Sequence, residues 1–360
     1  MKYIVNTLVF FILLVPSFFS VYATALHVSH KTPLIIDTDA GWDDWIAISY
    51  LIRDQSNSDY KIIGIISNGV GEARLASGIN NIRNIVALAG ASIPVYSGSS
   101  KPIKYSNSFP NHFRTSINDL FGIKIPSSDA PRPLISGERF LKNTLMNSQY
   151  KVDILAIGGL TDLASVIKSN PKLSSKINKL FVMGGDFDFS NHKDQNPNGN
   201  IQDFQPSSYP SNHTAEWNIF IDPVAAEIVF NHVKDIVMIP LNACRYLKLT
   251  QSFVSTFPMK NALDKFIHKV LEYKLSQAKL GGYQEYFYDP LSAVIASGNK
   301  NVSQFKEHPV FIYTKYNSKD DHSGTTYIKK SGRVVSIAVN ANISAFEEAL
   351  DNGLSKQSCV

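Results

Sequence analysis

The sequence predicts an α/β protein built on a single open, mostly parallel sheet with helices on both faces. Short apolar runs that end in glycine or polar residues alternate along the chain with longer segments of helical spacing. With 360 residues, 44% of them hydrophobic, the chain can bury one large core. No linker-like stretch or repeat period divides it, which favours one domain over two.

The first strand and helix carry the most informative residues. The apolar run 34–36 is typical of a buried strand, and the spacing after Gly41 is typical of a helix. Four carboxylates occupy this turn and the helix start: Asp37, Asp39, Asp43 and Asp44. Because ligands of open α/β sheets bind at the carboxyl ends of strands, and because such close carboxylates repel, the turn predicts a site for Ca²⁺ or Mg²⁺. Acids also favour the N-terminal ends of helices and tight turns for structural reasons. These preferences explain two acids here well but explain four poorly.

The later segments continue the alternation. Strands are predicted in 60–70, 93–99, 152–157, 177–188, 234–242 and the C-terminal 308–340. Helices are predicted in 72–90, 137–148, 159–170, 262–279 and 344–354. Two stretches are predicted to be irregular, 100–134 and the polar loop 186–213. Loops of that length in compact domains are usually functional or mobile.

The N-terminal segment predicts export. Lys2 precedes an apolar segment that is too short for a stable membrane-spanning helix, and 21–23 offers small residues for cleavage. Residues 1–23 are therefore predicted to be a signal peptide, residues 24–360 the mature domain, and the protein secreted or periplasmic without a stable membrane anchor. Two cysteines provide no disulfide framework, and the sequence leaves open whether Cys244 and Cys359 pair.

The charge pattern limits the partners of the protein. The net charge of +5 comes from scattered Lys and Arg residues rather than from a dense basic stripe. This pattern argues against nucleic acid as a ligand and leaves small molecules as the expected partners. The sequence leaves the formation of a homo-oligomer open.

Five motifs follow one another along the chain. They are DTDAGWDD at 37–44, IGGLTDLA at 157–164, FVMGGDF at 181–187, AEWNIFIDPVAA at 215–226 and YDPLSAVIA at 288–296. In this order they resemble the inosine–uridine-type nucleoside hydrolases, and the resemblance runs from about residue 33 to the end. It implies a Rossmann-like, nucleoside-hydrolase-like sheet and the Ca²⁺-dependent hydrolysis of ribonucleosides to ribose and free base.

The resemblance also implies a role for each matching residue. The metal ligands would be Asp39, Asp44, Asp289 and the backbone carbonyl of Thr161. The substrate ligands would be Asp43, Glu216 and Asn218, with Asn200 and Asn68 as looser matches and Asn212 as the rival of Asn200. Asp37 would support the turn. Asp39 would act as the general base toward a Ca²⁺-bound water.

One position departs from the pattern of the family. Many members carry His immediately before the last metal-binding Asp, as the proton donor to the leaving base, and here Tyr288 occupies that position. A phenol has a pKa of about 10, so it is protonated at neutral pH but is a reluctant acid. Tyr288 is therefore predicted to be catalytic or to stack on the base, and Tyr283 and Tyr286 are further candidates for either role.

Three other functions compete with nucleoside hydrolysis. An exported Ca²⁺-dependent nucleoside- or ribose-binding protein would keep the pocket but lose efficient protonation of the leaving group. A hydrolase of another N-riboside, such as nicotinamide riboside, would need no proton donor. A haloacid-dehalogenase-type phosphatase would use Asp37 as its nucleophile, but it gives no role to the acids after Gly41.

Overall fold

The computed structural model describes residues 31–56, 58–190 and 197–356. The strands are β1 Thr32–Thr38, β2 Tyr60–Ser67, β3 Val95–Ser97, β4 Val152–Ile157, β5 Ile177–Met183, β6 Ile236–Ile239, β7 Phe305–Ile312, β8 Thr326–Ile328 and β9 Arg333–Ala338. The helices are α1 Trp42–Asp54, α2 Leu75–Leu88, α3 Asn111–Asn118, α4 Gly137–Asn147, α5 Thr161–Ser169, α6 Trp217–Ile221, α7 Pro223–His232, α8 Leu241–Cys244, α9 Gln251–Thr256, α10 Ala262–Gly281, α11 Asp289–Ala296 and α12 Ile343–Ser355.

The strands form one nine-stranded sheet in the order β3-β2-β1-β4-β5-β6-β9-β7-β8. The pairs from β3 to β6, and the pair β6–β9, are parallel, whereas β7 runs antiparallel to β9 and β8. The order 3-2-1-4-5-6 is that of doubly wound dinucleotide-binding folds. The prediction of an open, mostly parallel, Rossmann-like sheet is therefore confirmed.

Both faces of the sheet are covered, as β1 illustrates. Leu34 and Ile36 point into one apolar cluster, which includes side chains of α1, α10 and α12. Ile35 points into a second cluster, with side chains of α4, α5 and α7. A strand buried on both faces must be apolar at every position, which explains why β1 is a continuous hydrophobic run rather than an alternating one.

The structure adds helices to two segments without predicted structure. Within 100–134, Asn111–Asn118 forms α3, which is eight residues long and buries one of them, Ile117. The short helices α8 and α9 follow β6. Each is shorter than the segments in which a 3.6-residue period becomes visible.

Some predictions concern residues outside the described ranges. The signal peptide at 1–23 lies there, and so does Cys359, while Cys244 is buried at the end of α8. Among the helices that the structure describes, none combines the length and apolarity required to cross a membrane.

Candidate active site

The site lies at the carboxyl edge of the sheet, where the strand order reverses between β1 and β4. From β1 the chain continues to β2 on one side of the sheet, and from β4 it continues to β5 on the other side. The turns that follow β1 and β4 therefore diverge and leave a crevice between them. The turn after β1 carries Asp39, and the turn after β4 leads to Thr161 at the start of α5. The fold thus places the acidic turn at the position where open α/β sheets bind ligands.

The turn between β1 and α1 is held in an unusual backbone conformation. Ala40 has a φ of 60°, in the left-handed region that non-glycine residues rarely adopt. Its carbonyl accepts a hydrogen bond from the Trp45 indole N–H at 2.9 Å. Asp44 accepts the Gly41 backbone N–H at 2.9 Å and the Thr38 hydroxyl. These contacts fix the turn so that its carboxylates face inward.

Three carboxylates come together beside this turn. Oxygen atoms of Asp43, Asp44 and Asp289 lie within 4.8 Å of one another, and all three side chains are buried. Asp289 begins α11 and donates its backbone N–H to Asp43 at 3.3 Å, which joins the first turn of α1 to the start of α11. The group is a suitable ligand set for a hard divalent cation, because such ions prefer several charged oxygen ligands.

Asp39 lies next to this group, and its carboxylate contacts Asp44. Its Oδ2 accepts the Glu72 backbone N–H at 3.0 Å. A Cβ atom at Gly71 would lie 1.8 Å from that oxygen, so only glycine allows this close approach of the chain. The structure therefore brings together the predicted ligands Asp39, Asp44 and Asp289, and it places Asp43 in the same group.

Burial changes the acidity of these carboxyl groups. It raises the pKa of Asp39 to about 6 and that of Asp43 to about 7. Burial and the neighbouring carboxylates also raise the pKa values of Asp44 and Asp289 well above the usual range. Four buried acids cannot all carry a charge without a counterion, so a divalent cation would relieve the repulsion that produces these shifts.

These shifts predict an inverted pH dependence of stability for the chelator-treated protein. Unfolded Asp residues titrate near ~4, so the metal-free folded protein binds more protons than the unfolded chain between about pH 4 and pH 7. Its free energy of unfolding should therefore fall as the pH rises through this window. Added Ca²⁺ should restore more stability at pH 8 than at pH 5, because the ligands must be deprotonated.

The measurement is the melting temperature between pH 5 and pH 8, with chelator and with Ca²⁺. Asp43→Asn should flatten the slope of the chelator-treated protein, since this variant removes one of the titrating groups. A melting temperature of the metal-free protein that rises steadily from pH 5 to pH 7 would contradict the prediction.

A cavity of about 570 Å³ opens onto the acidic group. This volume lies within the range of small-molecule sites. The predicted site residues that line the cavity are Asp39, Asp43, Asp44, Asn200, Glu216, Asn218, Tyr288 and Asp289, together with the further candidates Tyr283 and Tyr286. Residues far apart in the sequence thus form one concave surface.

Glu216 is positioned by the start of α6. As the N-cap, its carboxylate accepts backbone N–H groups of Asn218 at 2.9 Å and Ile219 at 3.1 Å, and it also accepts that of Gly185 at 3.0 Å. Burial nevertheless raises its pKa to about 7. The Asn218 amide donates to the Met183 carbonyl at the end of β5. Both side chains are therefore held rigidly at the sheet edge.

The segment that carries Asn200 is tied to the same helix. The Asn200 side-chain oxygen accepts the Trp217 backbone N–H at 3.0 Å. Arg245 donates to the Gly199 carbonyl at 2.9 Å and to Asp186 at 2.8 Å. The rival Asn212 instead donates to Asp321 and Ser323 and does not line the cavity. The geometry therefore favours Asn200 over Asn212 as a substrate ligand.

Two other predicted residues do not line the cavity. The Asn68 amide donates to Asp37 at 3.0 Å and its oxygen accepts the Val70 N–H, so the geometry does not support the predicted contact of Asn68 with substrate. The Thr161 hydroxyl donates to Asp222 at 2.8 Å. The metal contact of the Thr161 backbone carbonyl stays a prediction. Asp37 is buried behind the turn after β1, a position from which its side chain can support that turn.

The cavity also contains residues that the sequence analysis did not identify. Glu72 lies near Asp39, and one of its buried carboxylate oxygens has no hydrogen-bond partner among the described residues. Lys274 of α10 forms an ion pair with Glu285 in the cavity wall. An aromatic wall is formed by Phe109, Phe113, Phe204 and Trp217, whose rings stack or tilt against one another. Glu72 follows a strand end, but nothing in the local pattern marked the others.

Comparison with known proteins agrees with this site. A family model described as inosine-uridine preferring nucleoside hydrolase matches residues 34–348. Uridine nucleosidase 1 of Arabidopsis thaliana is 31% identical over 265 residues, which are 72% of each chain. The pyrimidine-specific ribonucleoside hydrolase RihA of Salmonella paratyphi A is 27% identical, over 69% of this chain and 72% of the relative.

Solved structures share the fold. A plant nucleoside hydrolase superposes with a TM-score of 0.76 at 20% identity, covering 90% of this chain and 99% of that one. The purine-preferring ribonucleoside hydrolase of Gardnerella vaginalis gives a TM-score of 0.74 at 22% identity, covering 90% and 98%. With the family model matched over most of the sequence, the chain belongs to the inosine-uridine preferring nucleoside hydrolases, a family of N-glycosyl hydrolases.

Proposed function

We propose that this protein is a Ca²⁺-dependent ribonucleoside hydrolase in which Asp39 is the general base. The observation that carries the proposal is the buried group Asp43, Asp44 and Asp289, which shares one cavity with Asp39, Glu216 and Asn218. A set of carboxylates for a hard cation beside hydrogen-bonding groups for hydroxyls suits a ribose.

The residues present fit a calcium ion. Their oxygen atoms are hard ligands, their charges repel in the absence of a cation, and Ca²⁺ tolerates irregular sets of such ligands. Asp44 and Asp289 of this group, together with Asp39 and the Thr161 carbonyl, would hold the ion, and Asp43 beside them would bind the ribose. When bound, it supplies an anchor for the ribose hydroxyls and lowers the pKa of the attacking water.

The cavity side chains would have different roles in hydrolysis. Asp43, Glu216, Asn218 and Asn200 hold the ribose hydroxyls in one orientation, which fixes the anomeric carbon for attack. Asp39 accepts the proton of the attacking water. Cleavage passes through an oxocarbenium-like state, and the negative charge of the surrounding carboxylates stabilises the positive charge that develops on the sugar.

The role of Tyr288 can be tested directly. Burial raises the pKa of its phenol well above the usual range, so the group holds its proton too tightly to be an effective acid. Tyr288→Phe should therefore change kcat for inosine by less than about threefold, well below the factor of ~10² that general acid catalysis supplies. Tyr286→Phe, which also removes a cavity phenol, tests the second candidate in the same assay. A loss above 100-fold for Tyr288→Phe alone would restore the acid role.

The proposal is tested by measuring reducing-sugar release. The substrates are uridine, cytidine, inosine, adenosine and nicotinamide riboside, each with and without chelator. Uridine comes first, because the relative at 31% identity is named a uridine nucleosidase. Reducing-sugar release supports the proposal if a chelator abolishes it and Ca²⁺ restores it. The relative rates on the five substrates define the base preference.

A binding protein is the second candidate. It would show Ca²⁺-dependent binding of ribose or nucleoside without release of reducing sugar from any of the five substrates. The cavity supports both functions, but the relatives that match this chain are named nucleosidase and hydrolase, which favours catalysis. The phosphatase alternative is not favoured, because its nucleophile Asp37 does not line the cavity.

Export is a separate proposal. We infer a signal peptide at residues 1–23, a mature catalytic domain at 24–360 and a secreted or periplasmic location from the charge and apolar pattern of the N-terminus. N-terminal sequencing of the protein recovered from the medium or periplasm tests this. A protein that retains Met1 and stays in the cytoplasm would contradict it.

A further inference from the structure

A buried ion pair stands in the wall of the cavity, away from the proposed metal ligands. The ammonium group of Lys274, in the second half of α10, lies 2.5 Å from a carboxylate oxygen of Glu285. Both side chains are more than nine-tenths buried. The ammonium also lies 5.1 Å from the centre of the Trp42 ring and 5.8 Å from that of Phe113. It therefore sits between the acidic turn and the aromatic wall.

The pair leaves hydrogen-bonding capacity unused. An ammonium group has three N–H donors, and the aromatic rings beside Lys274 attract its charge without accepting a full hydrogen bond. Within the described part of the chain, Glu285 is the one acceptor in contact with this ammonium. A buried ion pair costs desolvation energy that packing alone recovers poorly. Donors left free beside a ligand cavity indicate that a ligand completes the set.

The other groups that could interact with a leaving base are less suitable. Arg245 also lines the cavity, but its guanidinium is engaged with Asp186 and the Gly199 carbonyl. The phenol of Tyr288 also lines the cavity, but it is a neutral group and brings no positive charge to a departing anion. Burial lowers the pKa of Lys274, but Glu285, with smaller contributions from Tyr283 and Glu72, raises it, and the net shift is upward, so the group stays charged. Among the described lining residues, Lys274 is thus the buried cation that remains free to bind.

We propose that Lys274, oriented by Glu285, donates a hydrogen bond to the nucleobase and stabilises the negative charge that develops on it as it leaves. This inference rests on the proposed function, since a ribose held by Asp43, Glu216 and Asn218 must direct its base toward the rest of the cavity. The bases that fit are those with carbonyl or ring-nitrogen acceptors, such as uracil and hypoxanthine.

The balance of the step is simple. The bond between the anomeric carbon and the base nitrogen breaks, and both of its electrons stay on the base. The water oxygen forms the new bond to the anomeric carbon, and its proton passes to Asp39. The base departs as an anion paired with Lys274 and takes up a proton from solvent on release. A preorganised donor aimed at developing charge contributes on the order of 100-fold in kcat.

Leaving groups of different character test this role. We expect Lys274→Met to lower kcat for uridine and inosine by about 100-fold. The same variant should change the cleavage of p-nitrophenyl β-D-ribofuranoside and nicotinamide riboside only a few-fold, because p-nitrophenolate is already stable and nicotinamide leaves neutral. Lys269→Met, an exposed lysine on the same helix, is the matched control and should leave all four rates unchanged.

A structural role would give a different pattern. If the pair only joins α10 to the segment before α11, Lys274→Met should lower the melting temperature and slow all four substrates equally. The double variant Lys274→Met/Glu285→Met removes both charges and avoids an unpaired buried carboxylate. We expect it to recover the melting temperature but not the turnover of uridine.

Three results would overturn the inference. They are equal losses on all four substrates, full recovery of uridine turnover in the double variant, and a Lys274→Met enzyme as fast as wild type on uridine. In all three cases wild type still cleaves nucleosides, so the proposed function survives. A wild-type protein that cleaves none of the substrates would overturn the proposed function, and this inference with it.

Discussion

Replacing Asp39 by Asn should lower kcat for uridine by about 10³-fold or more while leaving the protein folded. The amide has nearly the shape of the carboxylate, and its oxygen can still accept the Glu72 backbone N–H. What it cannot do is accept a proton from water, and loss of a positioned general base costs on the order of 10² to 10⁴ in rate. The measurement is reducing-sugar release at saturating uridine and Ca²⁺, with the melting temperature measured in parallel.

A substitution at a second buried acid distinguishes the effect of losing the general base from the effect of losing a buried charge. Asp264 on α10 is buried, accepts the Lys260 backbone N–H and does not line the cavity. Asp264→Asn should keep kcat within about twofold of wild type, as expected for a site far from the chemistry. An Asp39→Asn enzyme that retains more than a tenth of wild-type kcat would show that another group accepts the proton.

The fold was predictable because its central strands are buried on both faces. Such strands are short continuous apolar runs, and in this chain they alternate with helices long enough to show a 3.6-residue period. β1, followed by α1, is the clearest example, since 34–36 is apolar throughout and α1 is buried along its length. α3 could not be predicted in this way, because its eight residues are too few to show a 3.6-residue period clearly.

The acidic part of the site was predictable for a related reason. Parallel strands end at the same edge of a sheet, so polar residues that follow separate strands meet there. Asp39 and Asp44 follow β1 directly, so the strand order alone places them at this edge. Glu216, the N-cap of α6, and Asp289, the first residue of α11, lie far along the chain from the preceding strands, and they were predicted from their motifs instead.

The opposite wall of the cavity was not predictable from local patterns. Lys274 lies in a helix whose other charged residues are mostly exposed, and only the packing of α10 turns it inward. Asn68 shows the converse case, because a polar residue at a strand end can face a neighbouring turn, as Asn68 does toward Asp37, and not the cavity. Side-chain direction at such positions depends on long-range contacts that sequence spacing does not contain.

Replacing Asp289 by Asn should weaken Ca²⁺ binding by about 100-fold or more, because affinity for Ca²⁺ depends strongly on the number of charged ligands. The variant keeps the backbone N–H that bonds to Asp43, and Asn is accepted at the start of a helix. Local structure should therefore survive, while the group of three carboxylates loses one charge. Isothermal titration of Ca²⁺ into the chelator-treated protein measures the change in affinity directly.

Thermal stability gives a second readout that is independent of activity. At a Ca²⁺ concentration of 100 times the wild-type Kd, binding stabilises the folded state by about 2.7 kcal/mol. The same concentration equals the Kd of a variant weakened 100-fold, and the gain falls to ~0.4 kcal/mol. Asp264→Asn is the matched control, because Asp264 is a buried acid of α10 that lies outside the cavity. It should keep the full Ca²⁺-dependent rise in melting temperature. An Asp289→Asn protein that gains as much from Ca²⁺ as wild type would mean that the ion binds elsewhere, and Asp289 would then act on the substrate rather than on the metal.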